Sequence, residues 1–176
     1  MGETLTDLLN QAHRARRESR PDDADALLAR AVALARETDD RHGLGRVLAA
    51  LGQRARDRSE TAAAIAHYEA AAAIARAEDD VFAVAHRLRH VGDVHRECGR
   101  HELAEPFYAE ALALYRSRPG APPLDLANTL RPMALLRERH GDAAPLWRQA
   151  RDLYAQAGVE AGVAEATERL GETAGG

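Results

Sequence analysis

RHVGDVHRECGRHELAEPFYAEALALYR, residues 89–116, decides the fold, because the chain contains its pattern more than once. It aligns without a gap with AALGQRARDRSETAAAIAHYEAAAAIAR (49–76). It also aligns with RPMALLRERHGDAAPLWRQARDLYA (131–155) once three residues are dropped after Gly141-Asp142, and the first forty residues follow more loosely. A fixed spacing of about 40 residues is the mark of stacked structural repeats and takes precedence over any local motif.

Four columns set the phase. Ala24, Ala64, Ala104 and Ala143 share one, and Leu28, Tyr68, Tyr108 and Trp147 share the next. Then come Ala31, Ala71, Ala111 and Ala150, followed by Leu34, Ile74, Leu114 and Leu153. Upstream, Gly52 and Gly92 align with Ala12 and Ala134. Asp39-Asp40 and Asp79-Asp80 recur at the same interval and suit helix N-caps, where a carboxylate accepts from unpaired backbone N–H groups. Each unit reads as two amphipathic helices. Ala104, Phe107, Tyr108, Ala111, Leu112, Leu114 and Tyr115 keep a 3.6-residue period, and Leu88, Val91 and His95 mark the inner face of the helix before them. Small residues at Gly92, Ala104 and Ala111 let paired helices approach closely, with Tyr108 filling the remaining gap. The pattern predicts helices near 3–17, 22–37, 41–57, 60–77, 81–98, 102–117, 123–139, 143–156 and 160–173. RPGAPP, 118–123, is the one obvious loop. Pro145 fits a first helical turn, whereas Pro132 falls inside a helix and is expected to bend it.

This pattern resembles the tetratricopeptide repeat: a small residue in the first helix, Ala–aromatic–Ala in the second, and a turn marked by Gly99 or Gly141-Asp142. The resemblance implies an all-α fold, a right-handed superhelical stack of antiparallel helix pairs. The units fall at about 1–39, 40–79, 80–119 and 120–157, as one domain, with a C-terminal capping helix at about 160–173. The spacing is longer than the commoner repeat of about 34 residues and closer to the roughly 40-residue bacterial type. The proline that usually closes the second helix is absent, with Arg36, Arg76 and Arg116 near its place, and the first unit lacks the turn glycine.

Composition agrees with an all-helical chain. Hydrophobic residues make up 45%, but aromatics only 4%, and much of the remainder is alanine, the best helix former. All 24 basic residues are arginine, and the net charge of −4 gives no general bias toward nucleic acid or membrane. The single cysteine excludes an internal disulfide. The opening MGETLTDLLNQAHRARR has acids where a signal peptide carries basic residues, and no run approaches the ~18 apolar residues of a membrane span. The expectation is a cytoplasmic protein.

Residues 86–101 hold His86, His90, His95, His101 and the only cysteine, Cys98. His86 and His90 have the spacing of paired zinc ligands on a helix, but no third ligand joins them, so neither a metal nor another cofactor is expected. No Gly-x-Ser-x-Gly, phosphate-binding loop or His-Glu-x-x-His is present, and Asp22-Asp23 sits at a helix start where capping accounts for it, so no enzyme is expected. The period instead gives these residues directions. His95 faces the core, while His86, Arg89, Asp93 and Arg96 lie on the opposite face, which avoids it.

The resemblance implies that this face lines a concave groove that contacts a peptide. The same columns then collect Arg46, His86 and Asn128; Arg89 and Arg131; and a ladder of Arg16, Arg56 and Arg96, with His90 at its edge. In the last helix they hold Glu165, Glu168 and Glu172. Predicted first helices carry an arginine excess and second helices an acid excess. The expected function is a non-enzymatic protein–protein interaction module binding an acidic or carboxyl-terminated peptide in a basic groove. The alternative is a self-associating scaffold or regulatory docking subunit, in which the acidic last helix enters the groove of another copy. An ordinary solvated helix face stays open beside both. Nucleic acid is not expected, because that face lacks stacking aromatics.

Overall fold

The computed structural model describes residues 3–174, with side chains through Gly171. Among these are nine α-helices and one 3-10 turn, and no strand. The helices are α1 (Leu5–Arg17), α2 (Pro21–Glu37), α3 (Arg41–Asp57), α4 (Thr61–Ala77), α5 (Val81–Glu97), α6 (His101–Ser117), α7 (Pro123–Arg137), α8 (Ala144–Gln156) and α9 (Glu160–Ala174). They pair in sequence as the repeat predicts, α1 with α2 through α7 with α8, and α9 follows as an additional helix. The chain forms two compact units, Met1–Arg87 and Leu88–Gly176, with the division inside α5.

The period has a simple origin. Helices α2 to α6 are each 17 residues long. The links between them up to α6 are three residues, so one helix plus its link is 20 residues and a pair is 40. Each link turns on one residue with positive φ: Ser19 at 55°, Asp39 at 51°, Ser59 at 60°, Asp79 at 55° and Gly99 at 72°. The next N–H then reaches back five residues, as in Arg20 to Ala15 O at 2.9 Å, Asp40 to Ala35 O at 2.9 Å and Glu60 to Ala55 O at 2.9 Å. This is a Schellman closure, which satisfies carbonyls that the helix end leaves open.

The doubled aspartates therefore divide their labour. Asp40 and Asp80 cap the next helix, accepting from Gly43 N at 2.7 Å and Ala83 N at 3.0 Å. Asp39 and Asp79, expected as caps, are instead the left-handed residues of the preceding turn. A side chain in that conformation is strained by ~1–2 kcal/mol, part of which glycine gives back as unfolded-chain entropy. Ser59→Gly is accordingly expected to stabilise the protein by about 0.5–1 kcal/mol, read as a rise in urea midpoint. A fall in the midpoint would show that the serine makes a compensating contact.

The predicted columns form the core. Ala24, Ala64, Ala104 and Ala143 are buried, as are Ala31, Ala71, Ala111 and Ala150. Leu28, Tyr68, Tyr108 and Trp147 fill the space between each pair. The glycine column explains itself by close approach. A Cβ on Gly52 would lie 2.9 Å from the Tyr68 ring, and one on Gly92 would lie 2.8 Å from Tyr108. In the first unit, Leu5, Leu8, Leu9 and Ala12 pack on Leu28, Ala31, Val47 and Ala50. In the second, Ala127, Leu130 and Ala134 pack on Trp147, Ala150, Tyr154 and Ala166. Gly171 lies in the same phase as Gly52 in the sequence, but a Cβ there would meet nothing within 4 Å. No second helix covers it among the described residues, as suits a cap.

The fourth pair departs from the pattern. α7 ends at Arg137, a 3-10 turn covers Glu138–His140, Gly141 turns at φ 75°, and α8 starts only at Ala144. The three residues missing from the alignment are the first turn of α8, which is 13 residues long. Pro132 lies inside α7 and is buried, and Pro145 occupies the first turn of α8.

Candidate functional site

In the first unit the predicted residues come from α1, α3 and the start of α5. Arg16 reaches across from α1 to Asp57 on α3, Nε to Oδ2 at 2.5 Å and Nη2 to Oδ1 at 2.9 Å. This two-point geometry matches the planar fork of a guanidinium. Arg56 lies close enough to Arg16 for their charges to repel. Arg46 extends toward Thr6 on α1, at 3.4 Å. His86, on the α5 segment of this unit, has Arg87 Nη1 2.9 Å from its Nδ1. His13, on the same face of α1, is held below the ordinary imidazole range by partial burial and then by Arg16, Arg17 and Arg46. That single side chain senses the local field: three arginines act on it, and no carboxylate is among the causes.

In the second unit Arg89 and His90 gather around one carboxylate. Asp93 accepts from Arg89 Nη1 at 3.0 Å and from the Tyr108 hydroxyl at 2.8 Å, with His90 Nδ1 at 3.5 Å. Sequence periodicity put Asp93 on a face that avoids the core, but it is only 6% exposed. The aromatic column supplies the reason: Tyr108 crosses under Gly92 and brings its hydroxyl to that side of α5. Burial pushes the Asp93 carboxyl up. His90, Arg89 and Tyr108 together outweigh that and hold it below the usual carboxylate range. Burial and the Asp93 charge push the Tyr108 hydroxyl well above its ordinary value. His95 stacks on Phe107 at 5.4 Å, a packing residue as expected.

The remaining predicted residues of this unit are also engaged. Arg131 makes a two-point pair with Glu165 on α9, at 2.6 and 2.7 Å. Asn128 accepts from the Tyr154 hydroxyl at 3.0 Å. Asp125, in the first turn of α7, is raised by burial, which the Arg89 charge opposes. Arg96 Nη2 lies 3.6 Å from Glu97. Glu168 is exposed, and the Glu172 side chain lies outside the described residues.

Sequence reasoning put Asp93 and Glu165 in these columns but missed Asp57, the pairing of all three with the cations, and Arg54. This arginine is 7% exposed on α3 and pairs with Asp25 at 2.9 Å. Its partner is 29 residues away, so no local spacing announces it. Among the described residues no group of three or more His, Cys, Asp or Glu is placed to hold a metal ion, and no helix is long and apolar enough to cross a membrane.

No protein-family model and no curated protein matches the chain. Among solved structures it is similar to the crystal structure of BtubC (BKLC) from P. vanneervenii, at 16% identity and a TM-score of 0.68. That likeness covers 96% of this chain and 79% of the other. At such identity it concerns the fold alone, an all-helical repeat.

Proposed function

We propose that the chain is a non-enzymatic protein-interaction module of the tetratricopeptide type, one array of four helix pairs and a cap, that binds an acidic or carboxyl-terminated peptide. The observation that carries this reading is the charge on the first-helix face of the first unit. Arg16, Arg17 and Arg46 act together on His13, with Arg56 beside Arg16. Asp57 neutralises one rung of this face. In the second unit Arg89 and Arg131, from another column of that face, meet Asp93 and Glu165. Peptide carboxylates are therefore assigned to the first unit, with Arg46 and Arg56 as the leading contacts.

Exposed pairs of this kind contribute under ~1 kcal/mol each, so several must act together. Arg46→Ala with Arg56→Ala is expected to weaken binding of a fluorescein-labelled Asp/Glu-rich peptide by about tenfold and to flatten its salt dependence, read by anisotropy. Equal affinity in the variant and the parent removes the reading. Self-association through the last helix is the second route. It would have to open the Arg131–Glu165 pair, and light scattering across salt concentrations tests it.

A further inference from the structure

A cleft of about 580 Å³ opens in the second unit. Its walls are the α5–α6 turn and first turn of α6, with Arg100, His101 and Leu103, and the end of α7 with its 3-10 turn, with Leu136, Arg139 and His140. The first unit has a counterpart of about 490 Å³, lined in part by Arg16, Pro21, Arg54 and Asp57. The two can be compared column by column, counting from Gly52 and Ala134 and from Ala24 and Ala104.

In the first unit the cleft is closed electrically. Arg16 pairs with Asp57, Arg54 with Asp25, and Arg20 with Glu18 and Asp23. In the second, Leu136 stands where Arg54 does, Arg139 where Asp57 does, and Leu103 where Asp23 does. The substitutions remove two carboxylates and a buried arginine, and supply two leucines and a cation. Arg100 keeps the column of Arg20, but neither it nor Arg139 has a carboxylate partner among the described residues. Glu105 is taken by Arg137, leaving Glu102 as the single unengaged acid in the walls. Leu103 is 54% exposed, the most uncovered large hydrophobic side chain among the described residues.

His101 holds one of these cations in place. Arg139 Nη2 lies 3.2 Å from His101 Nε2, and a guanidinium can only donate, so Nε2 accepts and the proton sits on Nδ1. That Nδ1 is buried and has no hydrogen-bond partner among the described residues. Two guanidiniums without a carboxylate partner among the described residues, beside aliphatic walls, fit one chemistry. The volume is that of a small-molecule site.

We propose that this cleft binds a free aliphatic carboxylate, its carboxyl group held by Arg100 and Arg139 and its hydrocarbon arm against Leu103 and Leu136. The site shares no residue with the peptide face assigned above, so either reading can fail without the other.

The probe is octanoate, titrated into the full, isotope-labelled chain and followed by amide chemical shifts. Saturable shifts are expected at 99–105 and 136–140, with none from octylammonium, which has the same arm and the opposite charge. Arg100→Gln with Arg139→Gln is expected to weaken octanoate by at least about tenfold while the remaining amides keep their positions, since both side chains are exposed. Shifts confined to other regions, equal binding of octylammonium, or undiminished binding by the double variant would overturn the proposal. So would tighter binding of a capped Leu-Glu dipeptide, which would make the ligand a segment of a protein.

Discussion

Replacing Asp93 with alanine is expected to destabilise the protein by about 3–5 kcal/mol at neutral pH, the cost of breaking a buried ion pair from one side. Arg89 and the Tyr108 hydroxyl both lose an acceptor, and the side chains of Arg89 and Asp93 are only 13% and 8% exposed. Water cannot easily take the place of the carboxylate, so the desolvation already imposed on Arg89 is no longer offset. Asp93→Asn keeps an acceptor for Tyr108 and should lose less. The pH profile separates charge from packing. The folded carboxyl titrates below its ordinary value, so its contribution is fully present above the unfolded value of about 3.9. It fades as pH falls through the lower, folded value. The gap between parent and Asp93→Ala in urea unfolding should therefore be constant from about pH 5 to 8 and narrow below about pH 4. A gap that persists unchanged in acid would mean that the loss is one of packing alone.

Trp147→Ala is the other large effect, again about 3–5 kcal/mol. Trp147 is fully buried in the second unit, in the column that Leu28, Tyr68 and Tyr108 fill in the other pairs. Around it are Leu130, Ala134, Ala150 and Ala166, side chains too short to close a void of that size. Its indole Nε1 also donates to Glu138 Oε1 at 3.0 Å, which ties the 3-10 turn to α8. Phenylalanine retains most of the apolar contact and loses the hydrogen bond, so Trp147→Phe should cost about 1–2 kcal/mol. Far-UV circular dichroism during urea unfolding reads both variants without needing the tryptophan signal. A loss under ~1 kcal/mol for the alanine variant would show that the fourth pair is not packed around this residue.

The architecture was legible because its signals are local and repeated. A 17-residue amphipathic helix followed by a three-residue turn writes the same apolar columns every 40 residues, and the helix boundaries follow from where those columns stop. The candidate site was legible only as a set of cations on one helix face. Arg16, Arg89 and Arg131 lie in the first helices α1, α5 and α7. What periodicity cannot show is that Asp57, Asp93 and Glu165 meet them. It could not show the burial of Asp93 either, because that depends on the hydroxyl of an aromatic residue from the neighbouring helix.

By itself the sequence determined the helices, their pairing and the small and aromatic residues that make up the core. Each of these depends on spacing within a single pair of helices. Tertiary structure alone decided which arginines remain available. Arg16 finds its carboxylate 41 residues away and Arg131 finds one 34 away, whereas Arg139 occupies the same column as Asp57 and has no carboxylate partner among the described residues. Coulomb energy depends on distance through space, and folding sets that distance between residues that the chain keeps far apart.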